Sequence, residues 1–598
     1  MMTKQTLLLC TAIAALLAAC TSPRKKAWAH LDQDTLYVVA SQFKAGQEMA
    51  ALGDSANVVN YILKERDEVP FTQSAVHQST SEAIHGPNPE EPFFTVRFTL
   101  PIPASYNPTE LGELVGLDYG VFHHCHSPGF EVLPNGDALA IYFSSPRGRS
   151  ESDTMATFVQ ARLRFGAEEW DMPELFFDTK LGNDQSGLLW NDNGKIWFFG
   201  GGRYMSNYVP FRIATSEDNG ATWTYSIPQL DTAATDFTAQ PINSAFRDPK
   251  GNIYMAMDAD GSESFLWRSE DEGVTWQDMG GRTMGRHSTI IPLDEEGTLL
   301  SIGGKNASLE GWTPQNISRD WGATWETATP SPFPPLGSAQ RPSMIRLQSG
   351  NLVYITDSYM LKKDIPAPEG WKNEDKCVIA ISKDNGQSWH IKSLPVALPH
   401  NKRTAHPSLG YSTVRQAPNG LIHILTSANY PALHYELNEA WIWSDEGEVT
   451  ISKENGEKKS YTEHYPNGKL KAEWEAVIYP NGRYLLHGPM TDYYADGSIQ
   501  HKVVYNHGRK TGDELFYNPD GTLRWRWERD LETMRGVWTQ YYANGQKRVE
   551  SQWNIEPTPR DLDRKFIGYI AEGPATHWNE DGSIKAVYEF VKGELKEN

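Results

Sequence analysis

Six positions along the chain hold side chains that can bind a polar ligand or move a proton: His126, Gln185, Asn243, His287, Arg341 and Tyr411. Imidazole and phenol groups serve as bases, acids or nucleophiles when their surroundings tune them, and a guanidinium holds an anionic group. Brought together, they suit proton transfer or nucleophilic attack on a polar substrate. The bland alternative is a set of hydrogen bonds that plugs a channel. A metal reading arises at His123-His124-Cys125-His126, where His124 and His126 share a face of an extended strand. Adjacent residues rarely supply more than two ligands and no second cluster accompanies them, so no metal or other cofactor is expected.

Each of the six positions precedes the same local pattern, a strand, a turn glycine and a second strand. The turn glycines are Gly136, Gly194, Gly251, Gly297, Gly350 and Gly420. Six such hairpins alternate with a second repeat, S-x-D-x-G-x-[ST]-W. It occurs at Ser216–Trp223, Ser269–Trp276, Ser318–Trp325 and Ser382–Trp389. This is the Asp-box. Its Asp bonds the turn backbone, its Gly takes a positive φ and its Trp packs between sheets. ARLRFGAEEW, ending at Trp170, and ELNEAWIW, containing Trp441, read as traces of two more boxes. The pattern predicts an all-β chain with a six-bladed β-propeller over 93–445, closed by a strand within 93–103. First strands line a propeller's channel, so the six polar residues should converge at one mouth of it.

These boxes and hairpins resemble the sialidase (neuraminidase, BNR/Asp-box) superfamily. The resemblance implies an arginine triad for a substrate carboxylate, an Asp acid/base, and a Tyr nucleophile with a Glu partner. Gly410-Tyr411-Ser412-Thr413-Val414 looks like the segment carrying that tyrosine, and Asp153 falls where the acid/base sits. The departures lie in the triad. His126-Ser127-Pro128 stands in place of the first arginine, Lys305 near the second, Lys376 at the third, and Arg286-His287 near the Glu partner. Lysine and histidine cannot offer the bidentate fork a carboxylate prefers, so sialic acid is not the expected substrate. The leading expectation is an exo-acting glycoside hydrolase with Tyr411, His287 and Asp153 as catalytic residues. His126, Gln185, Asn243, Arg286, Lys305, Arg341 and Lys376 would bind substrate. One alternative is a propeller lyase acting on uronates through His and Tyr, with a cation neutralising the carboxylate. Another is a non-catalytic glycan-binding or adhesion lipoprotein.

The rest of the chain bears on location and partners. Lys4 precedes an apolar run that ends in Leu17-Ala18-Ala19-Cys20, which resembles a bacterial lipobox. Residues 1–20 are therefore expected to be a signal peptide, with lipid on Cys20 and the body tethered in the cell envelope, at the outer membrane. Residues 21–92 read as a stalk with one helix at 45–68. Beyond 446 an aromatic-x-[DN]-G unit recurs, as at Tyr465–Gly468, Tyr494–Gly497 and Tyr542–Gly545. It resembles the MORN repeat variant and predicts a hairpin array over 446–598, with a protein or glycan partner. The hydrophobic share of 39% supports sizeable cores, and a net charge of −21 disfavours nucleic acid as a partner. Cys125 and Cys377 could pair, and the sequence leaves that open.

Overall fold

The computed structural model describes residues 31–32, 76–99, 114–116, 126–144, 156–171, 173–177, 183–202, 209–238, 240–357, 377–395, 399–401, 404–427, 432–447, 449, 452–555 and 569–596. Cys20, Cys125, Asp153, Lys376 and the helix expected at 45–68 lie outside these residues.

Six antiparallel blades form the propeller. Their inner strands are His126–Val132, Gly187–Asp192, Pro241–Arg247, Thr289–Pro292, Ser343–Arg346 and Thr413–Gln416. These touch one another in cyclic order, the last returning to the first. The ring is closed by Phe94–Phe98, which pairs with Leu433–Leu437 as the outer strand of the sixth blade. An early strand thus completes the last blade, and the closed ring leaves no long exposed edge. Most strand residues between blades are apolar and fully buried, as in Ala138–Ser144 and Cys377–Ser382. Each hairpin turns on a glycine in the left-handed region. At Gly136, φ is 85° and an added Cβ would lie 2.6 Å from the Phe165 ring.

The four boxes share one wiring. In the first, Ser216 Oγ accepts from Gly220 N at 2.8 Å, and Asp218 Oδ1 accepts from Thr222 N at 2.9 Å. The structure adds a detail to the pattern. The residue before the glycine also has positive φ, at Asn219, Glu272, Trp321 and Asn385. Three of the box tryptophans lean on aromatic rings; Trp223 meets Phe176 of the preceding blade, Trp276 meets Phe199 and Phe211, and Trp389 meets Phe333.

The two traces do other work. Around Trp441 the chain forms a one-turn helix, Glu439–Trp443, capped by Asn438 Oδ1 accepting from Trp441 N at 3.0 Å. The segment ending at Trp170 receives the C-terminal array. That array is one antiparallel sheet of eleven strands in sequence order, from Glu457–His464 to Glu594–Leu595. Gly166 O accepts from Leu486 N, and Glu168 N donates to Gly508 O. A single buried cluster continues from Phe130, Val132 and Trp170 into Trp474, Trp525, Trp527, Trp538 and Trp553. Buried ions cross the same junction. Lys510 Nζ lies 2.7 Å from Asp171 and 2.9 Å from Glu514, and Arg483 pairs with Glu168.

Residues 76–91, read from sequence as the end of a stalk, are instead a strap between propeller and array. His77 stacks on Trp474 at 4.4 Å, Gln78 Nε2 donates to Asp218 O, and Asn88 N donates to Asn481 O. Low sequence periodicity hid this, because the strap is held by hydrogen bonds rather than by an apolar stripe. Among the described residues no helix is long and apolar enough to cross a membrane.

Candidate functional site

The strands of a blade alternate in direction, so both kinds of turn, hairpin and box, lie at one end of the propeller. The first residues of the inner strands lie at the other. Tyr411 occupies that second end, two residues before Thr413–Gln416. It is 7% exposed. Its backbone is bridged to Arg341, whose N–H donates to Gly410 O at 3.0 Å. The first strands of the fifth and sixth blades are thereby joined at the channel.

Three blades bring side chains to this phenol. Lys305 Nζ donates to Tyr411 Oη, which also lies 3.3 Å from Ser338 O. The His126 ring packs on the Tyr411 ring with centroids 4.2 Å apart, and the His287 ring meets its edge at 4.9 Å. His126 Nδ1 is 2.8 Å from Ser427 Oγ. Lys305 Nζ is also 4.8 Å from the ring centroid, and the Arg341 guanidinium carbon 5.5 Å. Two cations and two imidazoles therefore surround one phenol.

His287 is held in the left-handed region, φ 61°, and is 1% exposed. For a non-glycine residue this conformation costs free energy and persists only where its surroundings enforce it. The enforcing group is Asp258. Its Oδ1 accepts from His287 N at 2.8 Å, and its Oδ2 lies 2.7 Å from His287 Nδ1 and 2.7 Å from Arg286 Nε. Burial pushes the Asp258 carboxyl up, but His287 and Arg286 outweigh it and hold it below the usual carboxylate range. Burial pushes the His287 imidazole down to about 3, against the pull of Asp258 and with help from Lys305. It is thus neutral at physiological pH. Its proton belongs on Nδ1, because two acceptors would otherwise face each other. The lone pair is left on Nε2; both ring nitrogens are buried, and neither makes a well-aligned hydrogen bond among the described residues.

The remaining expected ligands divide. Arg286 also donates to Gln240 Oε1 at 2.7 Å and keeps a quarter of its side chain exposed. Arg341 and Asn243 reach across the channel instead of facing its mouth. Arg341 Nη2 donates to Pro128 O at 3.1 Å and Thr413 Oγ1 at 3.2 Å, and Asn243 Nδ2 donates to Pro342 O at 2.8 Å. Deeper in the channel, Arg415 pairs with Glu131 at 3.0 Å and donates to Leu189 O. For Arg341 and Asn243 the channel-plug reading describes the contacts made, since carbonyls of neighbouring blades come within reach once the ring closes. Gln185 is buried at the start of the second blade, where its N–H donates to Gly201 O.

Asp258 was missed by the sequence reading, and so was Asp357. Asp357 Oδ1 accepts from Leu409 N at 2.8 Å, just ahead of Tyr411. A signal for both existed. Each stands at the end of a hairpin's second strand, the end that lies beside the start of a first strand.

A metal is not needed to explain the one cluster of suitable ligands found among the described residues, His423, His434 and Glu436 in the sixth blade. Arg97 Nη1 lies 3.3 Å from His434 Nδ1 and 2.7 Å from Glu436. With Arg97 donating to Nδ1, His434 carries its proton on Nε2 and donates to His423 Nδ1 at 2.9 Å. The guanidinium already supplies the positive charge.

Residues 136–424 match the BNR repeat-like domain family, and residues 486–507 and 534–554 match the MORN repeat variant. No curated protein matches the chain. Among solved structures, a Hadza microbial sialidase is 14% identical, with a TM-score of 0.41 over 56% of this chain and 68% of its own. A protein of unknown function from Dyadobacter fermentans is 15% identical, with a TM-score of 0.39 over 53% of this chain and 94% of its own. The sialidase of Trypanosoma rangeli is 12% identical, with a TM-score of 0.37 over 80% of this chain and 87% of its own.

Proposed function

From a chain that joins a BNR repeat-like propeller to MORN-variant repeats, we propose a carbohydrate-active enzyme, an exo-acting glycoside hydrolase whose substrate is not sialic acid. The observation that carries this reading is the hydrogen bond from Lys305 Nζ to Tyr411 Oη. An ammonium group at the phenol oxygen stabilises the negative charge that develops there as the proton leaves. Tyr411, giving its proton to neutral His287, would attack the anomeric carbon as the glycosidic C–O bond breaks and its oxygen takes a proton from Asp153; water then releases the glycosyl-enzyme intermediate. Neutral His287 would accept a hydrogen bond through Nε2, and Asp153 is the proposed proton donor to the leaving oxygen. The substrate-binding roles proposed for Arg286, Lys305, His126 and Gln185 go with this reading, as does that of Lys376.

A second reading, elimination from a uronate, is favoured by one feature, a neutral imidazole beside a phenol and a lysine. In that chemistry Lys305 would neutralise the carboxylate while a base removes the α-proton.

We further propose that the protein is exported and lipid-anchored through Cys20 in the cell envelope, and that the repeats contact a protein or glycan partner. The deciding experiment is a digest of a panel of 4-nitrophenyl glycosides and polyuronates by the full chain without its leader. Hydrolysis releases nitrophenol or new reducing ends, whereas elimination yields an unsaturated, ultraviolet-absorbing sugar. Tyr411→Phe should abolish either product. Unchanged turnover by that variant would overturn the catalytic assignment, and no turnover by the wild type on any substrate would favour a binding protein.

A further inference from the structure

Asp357 ends the strand Leu352–Asp357 in the fifth blade and is buried. Its Oδ1 accepts from Leu409 N at 2.8 Å and its Oδ2 accepts from Ser408 Oγ. Ser408 Oγ in turn accepts from Gly410 N at 3.0 Å. One carboxylate thus organises the three residues that lead into Tyr411. Asp258 does the corresponding work two blades earlier, where it holds His287 N. The two differ in their counter-charge. Asp258 is paired with Arg286, whereas no cation pairs with Asp357 among the described residues. The groups facing it are the Cys377 thiol, at 3.6 Å from the neighbouring strand, Ser408, and the phenols of Tyr354 and Tyr435. None carries positive charge. A buried carboxyl without a cation destabilises a fold, and such groups concentrate where a protein needs them for function.

We propose that Asp357, in its ionised form, is a positioning residue for Tyr411, setting residues 408–410 so that the phenol meets Lys305. The inference rests on the reading of Tyr411 as the reacting group. Two full hydrogen bonds into the segment need both carboxylate oxygens as acceptors, which protonation would compromise. Burial pushes the Asp357 carboxyl up to about 6, so the arrangement is complete above that pH and weakens below it. The sign for stability is opposite. A carboxyl raised in the folded state above its ordinary value contributes stability at low pH that is lost as pH rises through about 6. Asp357→Asn should therefore melt no lower than the wild type at pH 8.

The test uses the full chain labelled with tyrosine carrying 13C at Cζ, with Tyr411→Phe to assign the signal. In Asp357→Asn the Tyr411 resonance should move. Turnover of the glycoside that the wild type digests should fall about tenfold to a hundredfold. Ser408→Ala, which keeps the carboxylate but removes one of its bonds, should move the same signal less. A Tyr411 resonance unaltered in both variants overturns the proposal. If Tyr411→Phe keeps full activity while Asp357→Asn still moves the resonance, the enzymatic reading fails and the positioning role stands.

Discussion

Lys305 and Tyr411 lie 106 residues apart, on the fourth and sixth blades, and the ammonium of one donates to the phenol oxygen of the other. The contact exists only because six blades close into a ring. It supplies a cation at the atom where negative charge would develop, in surroundings that keep water away.

Removing that cation should cost activity and little else. Lys305→Met is expected to lower turnover about 10²–10³-fold, the usual effect of deleting one charge-stabilising donor. The Tyr411 resonance should move with it. Steady-state rates and the labelled-tyrosine spectrum check both, with Lys305→Arg expected to recover part of the loss.

Acid should destabilise the propeller through its buried histidines. Burial holds His287 at about 3 and His423 at about 4. Both lie below the ordinary imidazole value of about 6.5. Between those limits the unfolded chain binds protons that the folded chain does not, so the stability they contribute is complete above about pH 6.5 and falls as pH drops. Melting temperature measured from pH 8 to pH 4 should decline, and His287→Gln should flatten part of the slope.

Propeller and array should unfold together. Their junction is a shared apolar cluster crossed by the Lys510, Asp171 and Glu514 ion group. Lys510→Ala removes the cation that Asp171 and Glu514 share, leaving each its arginine, Arg164 and Arg529, and should cost about 2–3 kcal/mol. Calorimetry should show one transition for the wild-type body, and a chain ending at 445 should not melt as the intact protein does. Two well-separated transitions would mean that the cluster couples the parts less than its burial implies.

The Asp-box should prove local. Asp320→Ala removes the acceptor for Thr324 N at 2.9 Å and for Thr324 Oγ1 at 2.6 Å. It should cost about 1 kcal/mol and leave turnover unchanged, since the box sits at the end of the propeller away from Tyr411. Chemical denaturation and rate measurements on the same preparation separate the two effects.

Local rules made the scaffold legible in the sequence. A turn glycine between apolar strands and an S-x-D-x-G-x-[ST]-W box specify hairpins and turns within a few residues, so counting them yields the six blades. The aromatic-x-[DN]-G unit likewise announces the array. The same logic placed His126, His287 and Tyr411 at one end, because the start of an inner strand has a defined place in a propeller.

Other features depend on partners distant in the chain. Arg341 stands at the start of an inner strand like Tyr411, yet its guanidinium is occupied by Pro128 O and Thr413. The difference lies in what the closed ring brings within reach, which local pattern does not encode. Asp258 and Asp357 look in sequence like ordinary strand-end acids, and only the neighbouring blade turns them into anchors for His287 and Leu409. The box trace ending at Trp170 became the seat of the array, and residues 76–91 became its strap, through contacts spanning hundreds of residues. Sequence by itself determined the elements, because strands and turns answer to neighbours in the chain. Tertiary structure decided which polar groups are left to act, because hydrogen bonds and burial answer to neighbours in space.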